Sequence, residues 1–213
     1  MSESAPTAYR DFGFTTAEVS HMHKYFMPVI RDLLGELKPG TRVLDVGCGN
    51  GCTCGEFLKL GCKVTGIDLS EQGIAQARQA YPEGRFEVLP ADEHILANLG
   101  EEPFDVVIST EVVEHLCFPR PYARGCCKAL KPGGRFICST PYHGYLKNLL
   151  LSVCNKWDTH LCPMWDGGHI KLWSRKTLHW LLSEQGFVEL QFRGVGRIPW
   201  LWMTMVFYGR KPV

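Results

Sequence analysis

Val43-Leu-Asp-Val-Gly47-Cys-Gly49-Asn-Gly51 is the stretch on which the fold turns. Its first part continues a short run, Arg42–Val46, that is apolar on both faces, as a buried parallel strand must be. Three glycines then alternate. Without Cβ atoms the backbone can turn tightly into a helix and approach a ligand closely. An unrelated βα turn or a dinucleotide fingerprint would also use glycines here. However, the spacing is GxGxG rather than GxGxxG, and an acid, Asp45, sits inside the strand. That acid would repel a pyrophosphate and attract a cationic amino-acid group.

Further segments of the same kind follow. Lys63–Ile67, Phe104–Ile108 and Arg135–Cys138 read as buried parallel strands, and Phe86–Leu89 supplies the third strand in chain order. Helical segments separate them. Gly51–Leu60 ends at Gly61, Ser70 can N-cap Glu71–Ala80, and Pro121–Leu130 runs into the turn Lys131-Pro-Gly-Gly134. Alternation at this interval predicts an α/β fold of right-handed βαβ units with helices on both faces of the sheet. Residues 16–37 read as a helix. A second apolar helix is expected near Leu146–Cys154, and Trp157–Trp165 is rich in aromatics and histidine. Ser174 can cap Arg175–Glu184, closed by Gly186. Phe187–Phe192 and Met203–Gly209 read as two last strands. No linker divides the chain. The expected organisation is one domain: a helical cap over 1–38, a cofactor-binding core over 39–140, a substrate-side insertion over 141–173, and the last helix and strands over 174–213.

The 213 residues carry 23 basic and 22 acidic side chains, are 45% hydrophobic and have a net charge of +1. This balance offers no field for wrapping duplex nucleic acid and argues against such a partner. No apolar run reaches the roughly 18–20 residues of a membrane span. The opening MSESAPTAYRDFGF lacks the basic and apolar regions of a secretory signal. The ten cysteines contain no CxxC pair, and Cys52-Thr-Cys54 and Cys126-Cys127 are too tightly spaced for a structural zinc site. They read as free thiols in a reducing, cytoplasmic setting.

Two further acids extend the ligand argument. Asp68, ending the second strand, suits a bidentate hydrogen bond to ribose hydroxyls. Asp92, past the third strand, can accept from an adenine amino group. Ribose, adenine and an amino-acid cation on one molecule describe S-adenosyl-L-methionine.

With VLDVGCGNG, GIDLS, FDVVISTEVVEHL and LKPGGRFICSTP in that order, residues 40 to 140 resemble the class I S-adenosylmethionine-dependent methyltransferases. The resemblance implies a Rossmann-like seven-stranded sheet, order 3-2-1-4-5-7-6, with only strand 7 antiparallel. It implies that Asp45, Gly47, Gly49 and Gly51 line the methionine side, Asp68 the ribose and Asp92 the adenine. Cys48, Asn50, Leu69, Glu93 and Thr110 complete the candidate cofactor set. The (N/D)PP(Y/F) motif of amino-group methylators is missing after strand 4, where Ser109-Thr-Glu-Val-Val stands. Thr140-Pro-Tyr142 follows strand 5 instead.

Glu111, Glu114 and His115 form an ExxEH pattern after strand 4. In a helix, positions i, i+3 and i+4 share one face. Such a group is either a solvated face, with His115 capping nearby, or a mixed N/O site for a divalent cation such as magnesium or manganese. EVVEHL together with His169 in Gly-Gly-His-Ile-Lys-Leu-Trp-Ser resembles two branches of the family. These are the 3-demethylubiquinol-type O-methyltransferases and the small-RNA 3′-terminal 2′-O-methyltransferases. The resemblance implies a metal set of Glu111, Glu114, His115 and His169. A cation there binds two neighbouring hydroxyls and lowers the pKa of one. Without a metal, His169 or His143 is the expected general base. His115, His143 and His169 are thus the candidate catalytic residues, and His169 as a mere anchor of the 157–168 segment is the alternative.

Residues 9–28 and 141–173 are expected to cover the carboxyl ends of the strands. Tyr142, His143, Tyr145, Trp157, Trp165 and Trp173 there suit a flat apolar acceptor. Ile198–Met205 is apolar and reads as a hidden strand, a dimer contact or a peripheral membrane patch, in that order. The expectation is methyl transfer to a hydroxyl of a small aromatic or lipophilic acceptor. The alternatives are 2′-O-methylation of an RNA end and a non-catalytic S-adenosylmethionine-binding protein.

Overall fold

The computed structural model describes residues 23–161, 163–165 and 168–213. Seven strands form one sheet, in the order β3-β2-β1-β4-β5-β7-β6. They are β1 (Arg42–Val46), β2 (Lys63–Asp68), β3 (Arg85–Val88), β4 (Phe104–Thr110), β5 (Leu130–Pro141), β6 (Val188–Val195) and β7 (Thr204–Arg210). β1 to β5 pair in parallel, and β7 runs antiparallel to both its neighbours. This is the topology expected from the motifs.

Strands buried on both faces follow from their side chains. Val43, Val106, Ile108, Ile137 and Val206 pack on one face with Phe26 and Ile30 of α1 (His23–Leu34), Phe57 of α2 (Cys52–Leu58) and Ile74 of α3 (Glu71–Ala80). Leu44, Val46, Val107, Phe136 and Phe207 point to the other face. They meet α4 (Ile95–Leu99), α5 (Pro119–Ala129) and α8 (Arg175–Glu184). The period-2 alternation therefore carries two hydrophobic layers rather than one.

Local signals set most boundaries. Ser70 Oγ accepts from the Gly73 amide at the start of α3. Ser174 and Thr177 form a reciprocal capping box on α8. The cysteines at described positions are all free thiols. Some expectations shift. α5 begins at Pro119, because a proline in the first turn loses no helical hydrogen bond. Lys131–Gly134 is an irregularity within β5, which steps from Leu130 opposite Phe104 to Arg135 opposite Val106. Of the expected helix over 16–37 and the cover over 9–28, residues 9–22 lie outside the described residues. Residues 23–34 form α1, packed on the sheet face, and the helix stops short of 37 because Gly35 turns the chain at φ +63°. The insertion forms α6 (Tyr145–Val153) and a further short helix, α7 (Trp157–Leu161). The apolar 198–205 stretch divides. Ile198 and Trp200 are exposed, Trp202 packs edge-on to Tyr142 at 5.0 Å, and the strand begins at Thr204.

Candidate active site

The strand order reverses between β1 and β4, and the loops leaving these strands meet there. Such a reversal opens a crevice at the carboxyl ends of the strands. Gly47, at φ +80°, turns the chain beside β4. A Cβ on it would lie 2.3 Å from Val112 Cγ2, so only glycine fits. Ser109 Oγ donates to Val46 O at 2.8 Å and ties the two strands together. The glycine loop and the ExxEH segment are thus in van der Waals contact.

The β1–β2 side is made of backbone and two acids. Asp45 is buried. Its Oδ2 accepts from the Cys54 thiol at 3.3 Å, while Oδ1 is buried with no hydrogen-bond partner. Burial pushes its carboxyl up to about 7. A cationic group beside Oδ1 would restore the ionised form. Asp68 is held differently. Its Oδ2 accepts from the Gly49 amide and its Oδ1 from the Ser70 amide, both at 2.8 Å. The Cys48 thiol packs inward against Gly66, and Asn50 Oδ1 accepts from the Cys52 amide at 3.3 Å. These two residues therefore shape the loop from within. Leu69 is exposed at the rim, and Thr110 is half-buried at the end of β4. Asp92 Oδ1 accepts from the His94 amide at 2.7 Å. Glu93, also of the expected set, faces α5. Its carboxylate pairs with Arg124 at 3.1 Å and Lys128 at 3.6 Å on α5.

The β4–β5 side is made of side chains from distant positions. Glu111 does not continue a helix. At φ +56° it reverses the chain, and only Val113–His115 forms a short 3-10 turn. The expected shared helical face is thereby lost. Glu111 Oε1 instead accepts from Ser139 Oγ at 2.8 Å and Thr204 Oγ1 at 2.7 Å. Burial raises its carboxyl above the usual range. Glu114, 1% exposed, points elsewhere. Its Oε2 accepts from Thr140 Oγ1 at 2.9 Å, and its Oε1 is buried without a hydrogen-bond partner. Burial, then the neighbouring Glu111, push its carboxyl well up.

Residues 168–173 are stitched onto this turn. The amides of Ile170 and Lys171 both donate to Glu114 O at 3.0 Å, and Trp173 Nε1 donates to Val113 O at 3.2 Å. This brings His169 to His115, with ring centroids 5.1 Å apart. His115 Nδ1 faces Gly168 O at 3.2 Å. A carbonyl only accepts, so the proton sits on Nδ1, and Nε2 lies 3.9 Å from Glu114 Oε1. Glu114, His115 and His169 each offer a ligand atom within 4.8 Å of the others. Three of the four expected metal-set residues therefore converge, and Glu111 lies outside the group. A buried, unpartnered carboxylate oxygen beside two imidazoles fits a divalent cation with mixed N/O ligands. Burial pushes His169 down to about 4, which keeps its nitrogen a ligand rather than a cation.

A second histidine pair adjoins the first. His143 Nδ1 bonds Asn148 Oδ1 at 3.1 Å, which leaves Nε2 buried and unpartnered. His160 packs 5.1 Å from His143, and Trp157 stacks nearly parallel to His143 at 6.3 Å. Burial pushes His143 down to about 4. Among the other expected acceptor-side aromatics, Tyr142 and Trp173 are core residues, and Tyr145 is 84% exposed. Trp165 lies edge-on to His115 at 5.5 Å. Lys147, His160 and Asn148 escape sequence reading. Only Lys147 leaves a signal, as the one charge in the apolar segment 145–153.

This geometry sets the glycine loop against a histidine–carboxylate cluster at the ends of β1 and β4. Residues 19–191 match the family described as "Methyltransferase domain". The chain belongs to the class I S-adenosylmethionine-dependent methyltransferases. A ubiquinone biosynthesis O-methyltransferase of Thiobacillus denitrificans is 32% identical over 160 residues, covering 73% of this chain and 68% of that one. The protein of the same name from Maricaulis maris is 39% identical over 103 residues, 47% of this chain and 41% of that one. The chain thus spans less than half of that methyltransferase's length. An S-adenosylmethionine-dependent methyltransferase structure from Archaeoglobus fulgidus superposes with a TM-score of 0.65 at 19% identity, covering 86% of this chain and 92% of that one. At that identity the likeness speaks for the fold.

Proposed function

We propose that the protein transfers a methyl group from S-adenosylmethionine to a hydroxyl of a small aromatic or lipophilic acceptor, with a divalent cation held by Glu114, His115 and His169. The observation that carries this reading is the convergence of those three residues at the end of β4. The names of the O-methyltransferase relatives support it.

S-adenosylmethionine supplies a methyl already activated by its sulfonium. A cation at the cluster would supply Lewis acidity that orients neighbouring hydroxyls and lowers the pKa of one. The remaining work falls to the chain. Asp45 and Asp68 hold the donor at its amino-acid and ribose ends. Thr140 orients Glu114, and Gly168 O orients His115. Buried and neutral, His143 keeps a lone pair on Nε2 to receive the acceptor's proton. Trp157 packs on His143 and Trp165 on His115, which fixes the orientation of both imidazoles.

The test is transfer of labelled methyl to paired catechol and phenol acceptors, with and without a chelator. Catechols are expected to be methylated, chelator to abolish turnover, and added magnesium or manganese to restore it. Turnover that survives chelation refutes the cation. Tight cofactor binding without transfer to any hydroxyl in a broad panel refutes the reaction.

A further inference from the structure

α6 is built inside out. Leu146, Leu149, Leu150 and Val153 are exposed, and its one buried residue is Lys147, 6% accessible. An ammonium taken out of water is costly unless a counter-charge meets it. Lys147 Nζ donates to Met203 O at 3.3 Å. No carboxylate of the described residues lies within ion-pair distance of it. Glu111 attracts it from farther off, but that carboxylate is held by Ser139 and Thr204. Arg197 adds a second positive charge to the same region.

We propose that Lys147 forms an anion-recognition site in the acceptor pocket, and that the acceptor carries a carboxylate or phosphate close to the hydroxyl that is methylated. The proposal rests on the acceptor-pocket reading above. Lys147 has three donors and one is engaged. It lies near enough to His143, His160 and His169 for its charge to act on each. The first amides of α6, which follow Gly144 without a side-chain cap, add positive potential at the same end of the helix. The independent sign of a ligand is His143. It is 4% exposed, and its Nε2 is buried without a partner. With Nδ1 committed to Asn148, that Nε2 can only accept, so its partner must donate. Lys147 can only donate, so its partner must accept. A molecule bearing a hydroxyl next to an anionic group satisfies both.

The test is equilibrium binding to the full chain in the presence of S-adenosylhomocysteine. Two matched pairs of probes are used: 2,3-dihydroxybenzoate against catechol, and 2-hydroxyphenyl phosphate against catechol. The charged member of at least one pair should bind about tenfold tighter or more, as a charge-assisted hydrogen bond allows. The pair with the larger ratio identifies the anion. Lys147→Met should reduce that ratio to within about twofold, and Lys147→Arg should retain it. Lys147→Gln serves if the methionine variant does not fold. Equal binding of charged and neutral members, or a preference that survives loss of the lysine, overturns the proposal. Binding of S-adenosylhomocysteine alone is measured separately. Its failure would refute the methyltransferase reading, whereas the anion preference is read from the probes.

Discussion

The two halves of the site are assembled by different means. On the β1–β2 side, the key hydrogen bonds join residues close in sequence. Gly49 meets Asp68 across 19 positions, and Ser70 meets Asp68 across two. The partners there are backbone amides. On the β4–β5 side, Glu114 meets Thr140 across 26 positions, His115 meets Gly168 across 53, and Glu111 meets Thr204 across 93. The partners there are mostly side chains. Backbone sites are fixed by local residue type, because glycine and caps act within a turn. Side-chain sites are fixed by the topology that carries distant strands together. The two halves should therefore fail separately, and mutation can show whether they do.

The largest separation is expected at Glu114. Its buried carboxyl is already pushed well up, so Glu114→Gln is nearly isosteric and should fold. The glutamine replaces a carboxylate oxygen at the cluster. We expect kcat/KM to fall roughly a hundredfold or more, while calorimetry shows unchanged affinity for S-adenosylhomocysteine. An equal loss on both sides would mean that the halves are one unit.

Gly47 is where the halves touch, and its substitution should damage both. Gly47→Ala sets a Cβ against Val112 and places a side chain at φ +80°. Strain and overpacking together should cost about 2–4 kcal/mol in thermal or denaturant unfolding. Adding Val112→Ala should recover the overpacking share and leave the strain. Full recovery would remove the case for a required glycine.

This division also explains what could be read from the sequence. The helix-cap serines and the turn after β1 were legible because each rests on local chemistry, whereas the strand order came from the resemblance of the ordered motifs to a known family. Glu111 was misplaced because the ExxEH spacing describes a helix, whereas the chain reverses at that residue. The pairing of Glu93 with Arg124 and Lys128 was not legible, because those residues reach it only once α5 is packed. Lys147 was passed over because a lysine in an apolar helix reads as its solvent side, and here the helix is inverted.

A smaller effect belongs to the β1–β2 side alone. Asp68→Ala removes the acceptor shared by Gly49 and Ser70 and offered to a ribose. Cofactor affinity should fall by roughly 1–3 kcal/mol. Unchanged affinity would contradict the ribose assignment.

The smallest effect is the most specific, because it depends on protonation rather than shape. Asp45 is shifted from 3.8 up to about 7 by burial. Between those values the folded chain holds a proton that the unfolded chain has released. The stability this confers is complete below about pH 4 and is lost as pH rises through about 7. Binding runs the other way, since a cationic amino group favours ionised Asp45. Affinity for S-adenosylhomocysteine should therefore rise about tenfold from pH 6 to pH 8, near 1.4 kcal/mol. At pH 7 about half a proton should be released per ligand bound, visible as buffer-dependent calorimetric heats. Asp45→Asn should flatten both curves, the stability one by removing the titrating proton and the binding one by removing the charge. A wild-type affinity that stays level across this range would mean that the orphaned Oδ1 faces no cation, and the amino-acid end of the cofactor would have to lie elsewhere in the cleft.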